Sequence, residues 1–135
     1  MIVVDASVIA TALADDGADG DRARNRLRED SDLHAPHLVD LEVMSVIRKE
    51  AHADALNDRR AQLALDDLSR LPIVRYPHTP FADRIWTLRH NVTVYDAAYI
   101  ALAEALECVF LTSDRALALV DRAECEVELV LGPAG

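Results

Sequence analysis

Short apolar runs alternate with segments of helical periodicity along the whole chain, and this alternation decides what the chain can fold into. The runs are IVV (2–4), DLHAP (32–36), IVRY (73–76), CVFLTS (108–113) and VELVL (127–131). Each has strand length and is bounded by turn residues or a proline. Between them lie ASVIATALA (6–14), DRARNRLRED (21–30), HLVDLEVMSVIRKEAHA (37–53), ALNDRRAQLALDDLSRL (55–71), PFADRIWTLRH (80–90) and VYDAAYIALAEALE (94–107). These read as helices, with Pro80 at a first helical position. DDGADG (15–20) is predicted as a polar turn, and DRALALV (114–120) as a helical turn or two. Strands alternating with helices predict an α/β fold: a mostly parallel central sheet of about five strands, with helices on both faces. At 135 residues, one domain spanning 1–135 is expected. That length buries roughly two thirds of the surface of the unfolded chain.

Composition narrows the function classes. No apolar run approaches the ~20 residues that span a bilayer. Asp5 interrupts the first apolar stretch, and no basic region precedes it, so a secretory signal is not expected. Cys108 and Cys125 have no metal or redox spacing, and two free thiols point to the cytoplasm. With 24 acidic against 14 basic side chains, the net charge is -10. General nucleic-acid affinity rests on cationic contacts to phosphate and is opposed by this balance. An enzyme that grips nucleic acid through bound cations is not, and a basic protein partner is favoured. Lys49 is the only lysine, so the positive charge is otherwise arginine, whose planar fork suits phosphate and carboxylate.

In a parallel sheet, sites form outside the carboxyl ends of the strands. Asp5 lies just past the first strand. Glu42 lies about a turn and a half into the helix after the second. Asp114 lies just past CVFLTS. The helix carrying Asp96 must end at the amino edge, where CVFLTS begins, so its first turn starts at the carboxyl edge. Topology thus brings four acids to one edge. Taken singly, each has a plainer explanation. Asp5 and Asp114 could cap the elements that follow them. Asp96 could favour the positive end of its helix, and Glu42 could be solvated or paired with Arg48. Together they would repel one another and raise each other's pKa unless a cation intervenes. Oxygen ligands alone favour Mg²⁺ or Mn²⁺. The hydroxyls of Ser7, Thr112 and Ser113 are placed to orient the carboxylates or a metal-bound water. Such a cluster suits phosphodiester hydrolysis, with no side-chain nucleophile required. His34, His37, His52, His78 and His90 show no ligand spacing and are expected at the surface or in loops.

VVDASV, LEVMSVIRK, VYDAAYIALAEAL and FLTSDRAL, in this order, resemble the successive motifs of the PIN-domain nucleases, in particular the VapC-type toxins of bacterial toxin–antitoxin pairs. The resemblance covers nearly the whole chain. It implies a PIN-like fold and a Mg²⁺-dependent endoribonuclease acting on RNA, with Asp5, Glu42, Asp96 and Asp114 as catalytic, metal-binding quartet. Asp5 and Asp96 match the most dependable ligands, Glu42 and Asp114 complete the pocket, and Thr112 matches a hydroxyl beside the fourth acid. Ser45 stands where many relatives carry asparagine. A cognate antitoxin is implied as partner, placing a basic segment in the acidic groove, and a homodimer is expected.

Three other readings compete. A receiver-type phosphoacceptor domain wants a lysine after a late strand and adjacent acids after the first; the only lysine of this chain is Lys49, in the helix after the second strand, and the first strand is followed by the single Asp5. An aspartate-nucleophile phosphohydrolase wants a second acid where Ser7 stands. A non-catalytic partner-binding scaffold of the same fold would be expected to have lost an acid. RNA contacts are expected from Arg48, Lys49 and Arg115, while most of Arg22, Arg24, Arg26 and Arg28 are expected to balance nearby aspartates. Trp86 and Tyr99 are expected in core or dimer packing.

Overall fold

The computed structural model describes residues 1–130. Five strands form one sheet: β1 (Ile2–Val4), β2 (Leu33–Pro36), β3 (Ile73–Tyr76), β4 (Val109–Thr112) and β5 (Val127–Leu129). Their order is β3-β2-β1-β4-β5. Every pairing is parallel: Ile2 is in register with Leu33 on one side and Val109 on the other, Leu33 with Ile73, and Phe110 with Val127. The expected fold class is the one observed. Leu131, predicted to end the last strand, lies outside the described residues.

Six helices link the strands: α1 (Ala6–Ala14), α2 (Ala18–Glu29), α3 (Leu38–His52), α4 (Asp58–Arg70), α5 (Ala82–Thr87) and α6 (Val94–Leu106). The chain steps outward from β1 to β2 to β3. It then returns to the far side of β1 with β4 and β5. Right-handed crossovers put α1 to α4 on one face of the sheet and α5 with α6 on the other. The contacts agree, for α1 packs on α2, α3 and α4, whereas α6 lies across β1, β2 and β4. The direction of winding reverses between β1 and β4. Past the carboxyl ends of those two strands a crevice must open, because the following segments leave on opposite sides.

The core follows from where small and branched residues fall. In α6, residues 97–103 are buried without a break. Its alanines let the helix lie close to the sheet, and Ile100, Leu102 and Tyr99 fill the space beneath. The Tyr99 ring stacks on Phe110 with centroids 5.7 Å apart. Burying each such side chain contributes about 1.5–3 kcal/mol. Trp86, by contrast, is 62% exposed, which removes the core from the two expected placements, core or dimer packing. His34 is a second correction. It lies within β2, between β1 and β3, and is only 5% exposed. Its ring sits between the Tyr76 hydroxyl at 2.7 Å and the Asp32 carboxylate at 2.8 Å. The other four histidines are exposed.

The stretch 80–90, predicted as one helix, is divided into a 3₁₀ turn (Thr79–Phe81), α5 and a second 3₁₀ turn (Leu88–His90). Side chains there take backbone carbonyls. The Thr87 hydroxyl donates to the Asp83 carbonyl and Arg89 Nη1 to the Trp86 carbonyl. Such bonds compete with the regular helical ladder. DRALALV likewise forms a 3₁₀ segment, Arg115–Leu119.

The polar stretch 15–20 is not all turn, because α2 already begins at Ala18. Gly20 makes this possible. A Cβ there would stand 1.8 Å from the Asp15 carbonyl oxygen, so only glycine lets α2 start against the end of α1. Arg24 completes the junction by donating to the carbonyls of Ala12 and Asp15 at 2.9 and 2.7 Å. These belong to the carbonyls at a helix end that lack intrahelical partners. Gly20→Ala would ordinarily stabilise a helix by ~1 kcal/mol. Here the clash is expected to reverse the sign and destabilise by about 2 kcal/mol. Urea unfolding reads this directly, and a midpoint equal to or above wild type would contradict the close approach. Two of the four arginines of α2 balance nearby aspartates as expected, Arg22 with Asp19 and Arg24 with Asp21, whereas Arg26 pairs with Glu128 and Glu29 and Arg28 donates to the Asn25 side chain.

Candidate active site

Asp5 stands where a helix cap would stand, yet its side chain makes no capping hydrogen bond. It is 8% exposed. Its Oδ2 accepts from the Thr112 hydroxyl at 2.6 Å and the Ser7 hydroxyl at 3.2 Å. The Asp5 backbone N–H donates to the Leu111 carbonyl at 2.9 Å, which locks the end of β1 to the end of β4. The carboxylate is therefore held by neutral hydroxyls in a near-dry place. Desolvation dominates, and burial pushes its pKa above the ordinary aspartate value despite those bonds.

Glu42 projects from α3, and its Oε1 accepts from the Tyr99 hydroxyl at 2.6 Å. Its pKa is raised, first by burial and then by the charges of Asp5 and Asp96. Asp96 sits in the first turn of α6, where its backbone N–H donates to the Thr93 hydroxyl that caps the helix. Its pKa is raised by burial first, then by Asp5 and, more weakly, by Asp114. Asp114 does cap the element that follows it: its Oδ1 accepts from the Ala116 N–H at 2.9 Å. Its own N–H donates to the Thr112 hydroxyl at 3.1 Å. Thr112 thus joins the first and fourth acids. Ser113 is tied in through its backbone N–H, which donates to the Ser7 hydroxyl at 3.3 Å.

The four acids meet by charge, and no basic side chain forms a salt bridge with any of them among the described residues. The contrast with neighbouring acids is sharp. Asp40, two residues before Glu42, is gripped by Arg75 at 2.7 and 2.8 Å. Glu104, on the same helix as Asp96, is gripped by Arg84 at 2.8 and 2.9 Å. Asp40 and Glu104 receive arginines, and the crevice acids beside them do not. Asp5, Glu42 and Asp96, largely or half buried with raised pKa and no cationic partner, are what a divalent cation would neutralise. Among the described residues no group of three His, Cys, Asp or Glu side chains is placed to hold a metal ion together. Mg²⁺ does not need one, since it keeps several waters and binds through one or two carboxylates plus phosphate oxygens. The donor set fits such an ion.

Other predicted residues fall outside this cluster. Arg48 and Lys49 are exposed on α3, about 10 Å beyond Glu42 along the helix axis. Arg115 is exposed and faces a small cavity with Asp15, Asp19 and Ser113. Tyr99 is the site residue that sequence reasoning placed only in packing. It is fully buried, and its hydroxyl is the one polar atom that α6 sends to Glu42. The signal was available, because a buried tyrosine needs a partner for its O–H and lies three residues, one helical turn, from Asp96. A cavity of about 790 Å³ opens elsewhere, against α1, α2 and α4. Of its four arginines, Arg24 is bound as above, Arg28 to the Asn25 side chain and Arg60 to Asp16 and the Leu13 carbonyl, while Arg70 makes no side-chain hydrogen bond among the described residues. None of the four acids lines it.

A five-stranded parallel sheet with an acidic crevice at its winding reversal defines an α/β nuclease-like class. A family model described as "PIN domain" matches residues 2–123. The chain belongs to the PIN-domain family, as a VapC-type member. It is 45% identical over 129 residues to "Ribonuclease VapC1" of Mycobacterium tuberculosis, covering 95% of this chain and 96% of that protein. It is 42% identical over 130 residues to "Ribonuclease VapC9" of the same organism, covering 96% and 98%. The crystal structure of FitAcB from Neisseria gonorrhoeae is similar at a TM-score of 0.70 and 18% identity, over 96% of this chain and 98% of that one. At that identity the likeness concerns the fold.

Proposed function

We propose that this chain is a metal-dependent endoribonuclease, the toxin of a toxin–antitoxin pair, and that Asp5, Glu42, Asp96 and Asp114 are its catalytic acids. The observation that carries this reading is the set of acids without cationic partners at the crevice between β1 and β4. Asp5 and Asp96 would hold Mg²⁺ or Mn²⁺, with Glu42 and Asp114 completing the shell directly or through water. When bound, the ion would activate a water and offset charge on the phosphodiester. Thr112 and Ser7 orient the Asp5 carboxylate through their hydroxyls, and Thr112 also fixes the backbone at Asp114. The crevice's negative charge would equally receive a basic segment of an antitoxin, competing with the cation and the RNA. Binding of that kind weakens with salt. The test is cleavage of structured and unstructured RNA pools by the purified, partner-free chain with Mg²⁺, with Mn²⁺ or with EDTA. Cutting that survives EDTA, or no cutting with either ion, would sink the reading.

Tyr99 positions Glu42 in this scheme. Tyr99→Phe keeps the ring on Phe110 and removes only the hydroxyl. Partners that hold metal ligands in place typically contribute 10–100-fold to affinity or activity. Cleavage is therefore expected to fall about tenfold with the melting temperature little changed. In a Glu42→Gln background the same change should do almost nothing further. Additive losses in the double mutant would show that Tyr99 acts through something other than Glu42.

A further inference from the structure

The turn that joins α5 to α6 builds the outer wall of the acidic crevice. A cleft of about 520 Å³ is lined by Asp96 and Asp114 together with Arg89, His90, Asn91 and Thr93. These four wall residues are exposed, as is Tyr95, at 63%, beside Asp96. The Arg89 guanidinium lies 4.5 Å above the Trp86 ring and is held there by its bond to the Trp86 carbonyl. It forms no salt bridge among the described residues, although this chain carries 24 acids. The chain has six aromatic residues other than histidine, and two of the four largest, Trp86 in α5 and Tyr95 in α6, are exposed at the two ends of this turn.

We infer that this wall is the substrate cradle: single-stranded RNA enters the cleft with a phosphate next to the scissile one on Arg89 and His90, and unstacked bases lie against Trp86 and Tyr95. The inference rests on the ribonuclease reading and names the residues of this chain that would hold the RNA beside the acids. The acids cannot hold a polyanion by themselves, so the binding energy must come from cations and apolar surface beside them. Arg89 supplies the first and the exposed rings the second. Stacking accepts any base, and it requires bases that are not already stacked in a duplex. The stacked Arg89–Trp86 pair also presents a planar guanidinium already fixed in position, which reduces the cost of ordering it on binding.

The test uses full-length protein carrying Asp5→Asn, so that RNA is bound and not cut. The probe is a labelled pool of short single-stranded oligoribonucleotides of mixed sequence. Arg89→Gln is expected to weaken binding about tenfold and to reduce the slope of log K against log salt by about 0.7, one phosphate contact on a single strand. Trp86→Ala and Tyr95→Ala are each expected to weaken it fivefold or more, with Tyr95→Phe restoring it. With Asp5 intact, these changes should raise KM for cleavage far more than they lower kcat. Unchanged affinity and salt slope in Arg89→Gln and Trp86→Ala, while wild type still cuts RNA, would overturn the cradle alone. So would a Trp86→Ala protein that changes its sedimentation as an assembly but binds RNA normally, which would make the patch an interface between copies. A wild-type chain that neither cuts nor binds RNA would remove the ribonuclease reading and the cradle together.

Discussion

Asp5→Asn is expected to reduce RNA cleavage at least about 10³-fold while raising the melting temperature of the metal-free protein by a few degrees at pH 7. The loss follows from the role proposed for the carboxylate. Charge stabilisation by a bound cation amounts to several kcal/mol, and each 1.4 kcal/mol is tenfold in rate. The gain follows from the carboxylates. Asp5, Glu42 and Asp96 all have pKa values raised in the folded protein, burial being the largest cause in each. The native state therefore binds their protons more tightly than the unfolded state does. Stability falls as pH rises above the ordinary carboxylate range of about 4, and the loss is complete once pH exceeds the raised folded values. Asparagine carries no such penalty, and the hydroxyls of Thr112 and Ser7 can still donate to its amide oxygen. The melting difference between mutant and wild type should vanish well below pH 4 and widen above it. A mutant that cuts RNA at the wild-type rate would end the proposed role of Asp5. One that melts below wild type at pH 7 would show that the carboxylate is a structural asset.

Divalent cations are expected to act as strongly on stability as on cleavage. A ligand that binds only the native state at 100 times its Kd stabilises by about 2.7 kcal/mol. For a chain of this size that is roughly 5–15 °C in melting temperature. Mn²⁺ and protons compete for the same carboxylates, so the rise should be larger at pH 8 than at pH 5. EDTA should reverse it and stop cleavage. Asp5→Asn should abolish most of the rise. Thermal scans of both proteins with and without Mn²⁺ decide the matter, and equal rises would place the ion outside this crevice.

Much of this architecture is legible in the amino-acid order because the relevant signals are local. Each strand is a short apolar run, each long helix has its period, and the parallel arrangement follows from their alternation. The convergence of Asp5, Glu42, Asp96 and Asp114 on one edge needs only that topology. What a one-dimensional reading lacks is the identity of the partner. Asp5 and Asp114 both look like caps, and only Asp114 makes a capping hydrogen bond. Asp40 and Glu42 are two residues apart on one helix, yet Arg75 reaches only the first. His34 reads as a surface histidine of a short strand and is instead buried between Tyr76 and Asp32. Tyr99 and Trp86 look alike as aromatics among apolar neighbours, and one is buried against Phe110 while the other faces solvent. Each difference is set by contacts between residues far apart in sequence, which no window of the chain contains.

The bond from Thr112 to Asp5 spans 107 positions, and β1 cannot be flanked on both sides until β4 exists. At a synthesis rate of about 5–20 residues per second, the first acid waits roughly 5–20 seconds on the ribosome for its supporting hydroxyl. During that interval the nascent chain can shape α1 to α4 but cannot close the crevice between β1 and β4. A fragment released before Thr112 would carry Asp5, Glu42 and Asp96 without the β4 end that ties β1 to Asp114. The order of the strands therefore acts as a timer: the acidic centre cannot close before β4 is made, and products of translation that stop short of it are without that centre.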